Sequence, residues 1–286
     1  MKRVFIAGAT GYLGRFLVNE FGAQGWEVHA LYRNTEQAVR SGLIADKMVQ
    51  GKATEPKDLQ GKMGGVDLVI STLGITRQKD GMTYQDVDYQ ANINLLREAE
   101  YVGVKRFCYI HVLNAHKMKH VALIAAKQAF ADELQTSPIA STIISPSGYF
   151  SDMDDFLDMA KSGRIYLFGD GEKRLNPIHG SDLATSIHNA VTNELADLQI
   201  GGPETFTQNE IARLAFEATG KPIKIMHLPV SLVTIAQFFL KTFTSQSFYG
   251  PYQFFLTALR LDMAAQEHGN RRLIDHFTNQ QNERRV

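Results

Sequence analysis

Short apolar runs alternate with stretches of helical periodicity over the first half of the chain. Val4 to Ala7 is a continuous apolar run, Arg15 to Ala23 has helical spacing, and Trp26 to Tyr32 is again strand-like. Buried strands of parallel sheets are nearly continuous apolar runs, and helices form the crossovers between them. The pattern therefore predicts an α/β fold with a doubly wound parallel sheet of the Rossmann type.

The alternation continues to about residue 150 and then fades. Further strands are predicted at 47–50, 66–72, 106–112, 141–145 and 164–168, and further helices at 84–102, 121–134, 181–192 and 208–219, with helical pieces between 231 and 267. Gly103 follows the periodic stretch 84–102 and is predicted to end that helix. We expect a Rossmann-type domain over residues 1–150, and a smaller, mostly helical part over 151–286, which would bind a substrate or a partner.

The composition is that of a globular protein with balanced charge. Thirty basic side chains offset thirty acidic ones among 286 residues, so no excess of positive charge favours nucleic acid. The single cysteine, Cys108, excludes a disulfide framework within the chain. No signal peptide precedes the first strand, and the apolar stretch 228–240 is too short to span a bilayer. We expect a soluble, cytoplasmic protein without a membrane span.

Three glycines at three-residue spacing separate the first strand from the first helix. The first allows a tight turn, the second lets the backbone approach a phosphate, and the third lets the helix pack against the sheet. The helix N-terminus then points its N–H groups at the anion. An ordinary glycine-rich turn is the alternative, but the flanking strand and helix favour a dinucleotide site. The predicted contacts are Gly8, Thr10, Gly11, Tyr12, Leu13 and Gly14.

The end of the second strand selects between NAD and NADP. A carboxylate there binds the ribose hydroxyls, whereas an arginine accommodates the 2′-phosphate. This chain has Arg33, with no acid until Glu36, and Arg15 and Lys52 are basic residues that could assist. Arg33 could instead be a solvated charge at a strand end, but its position favours NADP(H) over NAD(H).

Together with the glycine motif and Arg33, later segments resemble the atypical short-chain dehydrogenase/reductases. Residues 87–96, and 103–107 leading into the fifth strand, are similar to the extended and atypical branches. Residues 146–150, 176–184 and 201–204 resemble the NmrA-like NAD(P)-binding family. The resemblance covers most of the chain and is least specific after about residue 225. It implies a Rossmann fold that binds NAD(P), and it names no substrate.

The resemblance also implies where catalytic groups would stand. Active members carry a tyrosine four residues before a lysine on the helix after strand five, and a serine at the end of that strand. Here Lys127 matches the lysine, which would bind the nicotinamide ribose, but Leu123 stands for the tyrosine and His111 for the serine. Leucine cannot donate a proton, so the usual redox mechanism does not carry over. The catalytic candidates are Lys127 and His111; the alternatives are an exposed helical lysine and a structural histidine.

Other cofactor contacts follow from the fold. Ligands of such sheets bind outside the carboxyl ends of the strands. The residues after strand four should therefore lie beside the adenosine or ribose, and those after strand six near the nicotinamide amide. The former are Ser71, Thr72, Leu73 and Gly74, and the latter Pro146 and Ser147. No metal is expected, because His116 and His120 have no carboxylate or cysteine nearby.

Two aromatic groups mark the second half of the chain. They comprise Tyr149, Phe150, Met153, Phe156 and Met159, and later Phe238, Phe239, Phe248, Tyr249, Tyr252, Phe254 and Phe255. They could line a pocket for a large apolar ligand, or they could be core or an oligomer contact.

Two functions are consistent with these residues. The first is an NADP(H)-dependent oxidoreductase acting on a small apolar substrate without the usual tyrosine. The second is a non-catalytic NADP(H)-binding sensor or assembly factor that acts on a protein partner. A sugar-nucleotide epimerase is disfavoured, because it too needs the missing tyrosine. The sequence does not determine the oligomeric state, although it is compatible with a homodimer.

Overall fold

A computed structural model describes residues 1–75, 81–231 and 246–283, in which strands and helices alternate. The strands are β1 Arg3–Ala7, β2 Glu27–Tyr32, β3 Lys47–Gln50, β4 Leu68–Ser71, β5 Arg106–Ile110, β6 Ala140–Pro146, β7 Ile165–Phe168, β8 Arg174–Leu175, β9 Asp197–Gly201, β10 Phe206–Thr207, β11 Ile225–Leu228 and β12 Gln266–Glu267. The α-helices are α1 Tyr12–Ala23, α2 Thr35–Arg40, α3 Pro56–Leu59, α4 Ala91–Val102, α5 Ala122–Thr136, α6 Asp154–Ser162, α7 Gly180–Thr192, α8 Gln208–Thr219, α9 Gln246–Ala258 and α10 Leu273–Glu283.

Eight of these strands form one parallel sheet, in the order β12-β9-β6-β5-β4-β1-β2-β3. The strand order reverses at β1, which has β2 on one side and β4 on the other. Ligands of doubly wound sheets bind at such a reversal, outside the carboxyl ends of the strands. The predicted Rossmann-type fold is confirmed. The edge of the sheet at which a ligand is expected, its binding edge, lies after Ala7 and Ser71, the last residues of β1 and β4.

The central strands are buried because apolar side chains occupy both of their faces. Val4 to Ala7 and Leu68 to Ser71 are all buried. On one face, Phe5 and Phe107 share a core cluster with Leu95 of α4 and Phe130 of α5. Successive residues of a strand point to opposite faces of the sheet, and here both faces are covered. Nearly every position of these strands is therefore apolar, which explains the continuous apolar runs in the sequence.

The helix predicted over 84–102 begins differently from the prediction. Residues Gln85–Gln90 form a π-helical turn, and the α-helix begins at Ala91. A π turn leaves carbonyl groups without regular partners, and here the Asn92 side-chain amide donates to the carbonyls of Val87 and Asp88, at 3.2 and 3.0 Å. Gly103 ends the helix at φ +76°, as predicted.

The chain divides into two compact units. The first contains Met1–Ser145 and Leu183–Leu198, and the second contains Pro146–Asp182 and Gln199–Val286. A single boundary at residue 150 does not describe this division, because residues 183–198 return to the first unit. There His188 packs its ring 5.2 Å from that of Phe21 and 6.4 Å from that of Trp26.

The second unit has a core of its own. Phe156 of α6, Phe216 of α8 and Phe277 of α10 are buried together. Two small sheets accompany these helices: β7 pairs with β11, and β8 with β10. Phe150 and Met153 belong to the same core. Of the alternatives given for these two side chains, a role in the core is therefore the one that the structure shows. Residues 232–245, with Phe238 and Phe239, lie outside the described residues.

Two absences hold for the described ranges. None of the helices in residues 1–75, 81–231 and 246–283 is both long and apolar enough to cross a bilayer. The same ranges contain no group of three or more His, Cys, Asp or Glu side chains arranged to hold a metal ion.

Candidate cofactor site

The turn between β1 and α1 is built around two glycines that tolerate no side chain. Gly8 has φ +84°, and a Cβ there would overlap the Thr72 hydroxyl. A Cβ on Gly14 would overlap the Gly8 carbonyl oxygen and lie 2.8 Å from the Ala9 Cα. The backbone of the turn closes with the Gly11 N–H donating to the Gly8 carbonyl at 2.9 Å. Gly8 therefore makes the tight turn that was predicted, and Gly14 lets the start of the helix lie against the backbone of that turn.

The same turn presents a surface suited to an anion. A Cβ on Gly11 would meet only the Gly8 carbonyl oxygen, at 3.2 Å, so little protein covers this position. No acidic residue lies in the first turn of α1, whose leading N–H groups have no partner within the helix. Thr10 and Tyr12 are half-buried, whereas Leu13 faces the core. This cradle fits a pyrophosphate, and the individual cofactor contacts stay predictions.

Two basic residues follow neighbouring strands at the binding edge. Tyr32 of β2 pairs with Gln50 of β3, so Arg33 comes directly after this register and Lys52 follows it by two residues. Both are exposed. Asp58 accepts a hydrogen bond from the Lys52 backbone N–H at 2.8 Å, which places one carboxylate at the same corner. The corner offers positive charges that match a 2′-phosphate, and the sequence has no acidic residue between Arg33 and Glu36.

The residues after β4 are held by internal hydrogen bonds. The Ser71 hydroxyl is fully buried and lies 2.5 Å from the Asn92 side-chain oxygen. The Thr72 hydroxyl donates to the Ala7 carbonyl at 3.1 Å, which ties β4 to the glycine turn. Leu73 directs its carbonyl toward the Lys127 amine, at 3.5 Å. Ser71 and Thr72 therefore shape the edge on which a ligand would lie.

Lys127 is not an exposed helical lysine. Its side chain is only 12% exposed. Its ammonium lies 3.3 Å from the Ile110 carbonyl, 3.4 Å from an Asp88 carboxylate oxygen, and 5.2 Å from the centre of the Tyr109 ring. These groups place the positive charge at the carboxyl ends of β4 and β5, where the resemblance expects a ribose ligand.

His111 is buried at the end of β5 and is neutral near pH 7. Burial lowers its pKa to about 4, and the nearby Lys127 charge adds to this effect. Its Nε2 lies 3.1 Å from the Gln128 side-chain oxygen, while the Gln128 amide donates to Asp132. This chain of bonds makes Nε2 the protonated nitrogen. Its Nδ1 has no hydrogen-bond partner in the described part of the chain.

Leu123 leaves the site without the usual phenol. It is 4% exposed and packs within the fold on the first turn of α5. Tyr109 does not replace it, because that side chain is fully buried and burial raises the pKa of its phenol well above the usual range. A buried phenol of this kind is a poor proton donor to a bound substrate.

Pro146 and Ser147 belong to the second unit. The Ser147 hydroxyl donates to the Asn176 carbonyl at 2.5 Å, and its N–H donates to the Ile200 carbonyl at 2.9 Å. Both hydrogen-bond donors of Ser147 are therefore used within that unit. The contact of these two residues with a nicotinamide amide stays a prediction.

Asp88 is a site residue that the sequence reasoning missed. It is fully buried, and burial raises the pKa of its carboxyl to about 6 despite the opposing Lys127 charge. One signal was available: Asp88 and Asn92 stand four residues apart, next to the apolar face of the predicted helix. Polar groups at that spacing on a covered face indicate a buried polar site.

Known proteins are similar to this chain in sequence. A family model described as NAD(P)H-binding matches residues 8–194. The photosystem II assembly factor Ycf39 of Guillardia theta is 25% identical over 243 residues, which cover 82% of this chain and 76% of that protein. The divinyl chlorophyllide a 8-vinyl-reductase of Arabidopsis thaliana is 28% identical over 254 residues, which cover 80% of this chain and 60% of that protein.

A solved structure agrees with the fold. The NADPH-dependent quinone oxidoreductase of Escherichia coli, in complex with NADPH, superposes with a TM-score of 0.75 at 16% identity, covering 97% of this chain and 99% of that one. At such identity the likeness concerns the fold alone. The family model, in contrast, spans well over half of the chain. The chain therefore belongs to the NAD(P)H-binding family, as an atypical short-chain dehydrogenase/reductase.

Proposed function

We propose that this protein binds NADPH in preference to NADH and reduces a small apolar acceptor that needs no proton from a tyrosine. The observation that carries the proposal is that the lysine position of the usual tyrosine–lysine pair is occupied by Lys127, whereas the tyrosine position is occupied by Leu123. Lys127 stands at the sheet edge, in the position where the family resemblance implies a cofactor ligand, whereas a buried leucine occupies the position of the usual proton donor. When bound, NADPH supplies a hydride.

The groups around Lys127 restrict the class of acceptor. His111 is neutral at pH 7, and its protonated nitrogen faces Gln128. It therefore has no proton ready for an alkoxide. An acceptor that forms a stabilised anion after hydride transfer can take its proton from water. Quinones and conjugated carbon–carbon double bonds have this property, whereas simple ketones do not.

Cofactor preference supports a first experiment. Titration of the purified protein with NADPH and NADH should give tighter binding of NADPH. Arg33→Ala should lose about 10- to 100-fold in NADPH affinity, because a charge-assisted bond to phosphate contributes about 1.5–3 kcal/mol. The NADH affinity should change little. Arg40→Ala, an exposed arginine at the end of α2, is the matched control. Tighter NADH binding by the wild type would contradict the proposed role of Arg33.

Turnover supplies a second experiment. We expect NADPH oxidation with a quinone or an enone and little with a simple aliphatic ketone. Lys127→Met should abolish it, whereas Lys105→Met should not, although Lys105 also pairs with an aspartate, Asp67, at 3.2 Å. Absence of turnover over a panel of quinones, enones and aldehydes would count against a reductase.

The same observation favours a second function. A protein that holds NADPH without a proton donor could report the redox state of the cofactor to a protein partner. The name of the relative Ycf39, a photosystem II assembly factor, supports this alternative. Capture of a defined partner that differs between NADPH and NADP⁺ would support it. A partner that binds equally well with both would not.

A further inference from the structure

A buried carboxylate lies against the amine that is proposed to hold the cofactor. Asp88 is fully buried, and its Oδ1 lies 3.4 Å from the Lys127 ammonium, outside hydrogen-bond geometry with any described residue. Its Oδ2 accepts from the Ile75 N–H at 3.3 Å. Nothing in the proposed reduction uses this carboxylate. A buried carboxylate costs free energy unless a positive charge compensates for it, and the Lys127 ammonium is the charge beside it.

The local backbone is arranged to deliver this carboxylate. Asp88 lies in the π-helical turn 85–90. The Asn92 amide holds the carbonyls of that turn, and Asn92 is itself fixed by the Ser71 hydroxyl. The extra residue of a π turn rotates the side chains that precede it relative to a regular helix. The turn thereby directs Asp88 toward the end of β4 and toward α5.

Gly74 leaves room for the pair. A Cβ at this position would lie 2.8 Å from the Asp88 Oδ1 and 2.9 Å from the Lys127 Nζ. Either distance is shorter than side-chain carbons normally approach. The backbone after β4 therefore passes directly over the two charges, on the edge where the ligand is expected.

We propose that Asp88 is a positioning residue whose carboxylate holds the Lys127 ammonium at the sheet edge, so that dinucleotide binding requires Asp88 to be ionised. This rests on the proposed function, in which Lys127 binds the cofactor ribose. Asp88 does not touch the ligand; it acts through Lys127.

The inference has a consequence for pH. Burial raises the pKa of Asp88 to about 6, and Lys127 opposes that rise. The Tyr109 phenol of β5 also faces it. Neutral His111, which follows β5, interacts with Lys127 and Gln128, and Glu133 of α5 lies beyond Tyr89 on the same turn as Asp88. Above pH 6 the carboxylate is charged and the pair is intact. Below pH 6 it is neutral, and Lys127 loses its anchor.

The first test observes Asp88 without any ligand. In protein labelled at the aspartate carboxyl carbons, the Asp88 NMR signal should titrate near pH 6. In Lys127→Met its midpoint should move upward by about one pH unit or more, because a nearby positive charge lowers a carboxyl pKa by about 1–3. Asp86, which lies two residues before Asp88 and accepts a hydrogen bond from the Thr83 hydroxyl, should not move. An unchanged Asp88 midpoint in Lys127→Met would overturn the pairing.

The second test measures binding of NADP⁺, which survives mild acid. If only the ionised form binds, affinity should fall about tenfold between pH 7 and pH 5. The ligand's 2′-phosphate titrates in the same range, so the comparison is with Asp88→Asn, and Asp86→Asn is the matched control. The ratio of Asp88→Asn to wild-type dissociation constants should change about tenfold over this range. A constant ratio would overturn the pH dependence.

The two tests separate the proposals. If the wild type binds no NADP⁺ at any pH, the proposed function fails, and the NMR midpoint still decides whether Asp88 is the counter-ion of Lys127. If Asp88→Asn does not fold, Gly74→Ala separates the same charges from the opposite side. It should weaken NADP⁺ binding at pH 7 and raise the Asp88 midpoint, and normal values of both would overturn the inference.

Discussion

Replacing Gly14 by alanine puts a methyl group into the junction between the first helix and the glycine turn. The Cβ would overlap the Gly8 carbonyl oxygen and lie 2.8 Å from both the Gly8 carbonyl carbon and the Ala9 Cα. Ordinary van der Waals contact begins at 3.4 Å. The helix start must therefore move away by at least about 0.6 Å (3.4 − 2.8), because no side-chain rotation can relieve a clash with backbone.

The magnitude follows from two opposing effects. Overpacking a well-packed site costs about 1–3 kcal/mol, and a clash with rigid backbone belongs at the upper end. Alanine in place of glycine recovers about 1 kcal/mol of helix propensity. We expect a net loss of about 2 kcal/mol in the free energy of unfolding and a fall of roughly 4–8 °C in the unfolding midpoint. NADPH affinity should fall at least about tenfold, because the shifted N–H groups no longer converge on one anion.

Gly22 provides the control within the same helix. A Cβ there meets nothing within 4 Å. Gly22→Ala should therefore stabilise the protein by about 0.5–1 kcal/mol and leave NADPH affinity unchanged. Urea unfolding followed by circular dichroism, with a parallel NADPH titration, measures both variants. The reasoning is refuted if the two substitutions shift stability in the same direction, or if Gly14→Ala binds NADPH as the wild type does.

Three further predictions concern other parts of the chain. Thr207→Ala removes the capping box with Glu210, whose carboxylate accepts from the Thr207 N–H at 2.7 Å, and should cost about 1 kcal/mol in chemical denaturation. The Asn176 side chain accepts from the Ala265 N–H at 3.0 Å and donates to the Ala265 carbonyl at 2.9 Å. Asn176→Ala removes both bonds and should lower the free energy of unfolding by about 2–4 kcal/mol in the same measurement. His111 has a pKa lowered to about 4 in the folded state, so its contribution to stability is present above pH 6.5 and is lost as pH falls toward 4. His111→Gln should show a shallower fall of the unfolding midpoint between pH 6.5 and 4, and an unchanged slope would contradict this assignment.

Much of the fold could be predicted from local sequence, because local rules determine those elements. The strand 47–50 and the helix 208–219 have the predicted bounds. Capping residues and apolar periodicity act over a few residues, so they are visible in one sequence. The tight turn at Gly8 was also predictable, because its positive φ and its bond to Gly11 involve neighbouring residues, whereas the Thr72 hydroxyl that crowds Gly8 follows a different strand.

The surroundings of Lys127 could not be predicted, because they depend on residues far apart in sequence. Ser71 fixes Asn92 across 21 positions, and Asp88 reaches Lys127 on another helix. The π turn that permits this has no local signature in propensity, since tertiary hydrogen bonds stabilise it. The neutral state of His111 likewise follows from burial, which a strand-end position alone does not determine.

The return of residues 183–198 to the first unit has a consequence for synthesis. Strand β6 forms hydrogen bonds with this segment. The Ile143 N–H donates to the Ala196 carbonyl at 2.9 Å, and the Thr142 hydroxyl donates to the Leu195 carbonyl at 2.7 Å. Until the ribosome has added about fifty further residues after β6, that strand is an open edge able to pair with another chain. Nascent chains should therefore be most prone to misassociation while residues 146–198 are being made, and chaperone contact should concentrate in that interval.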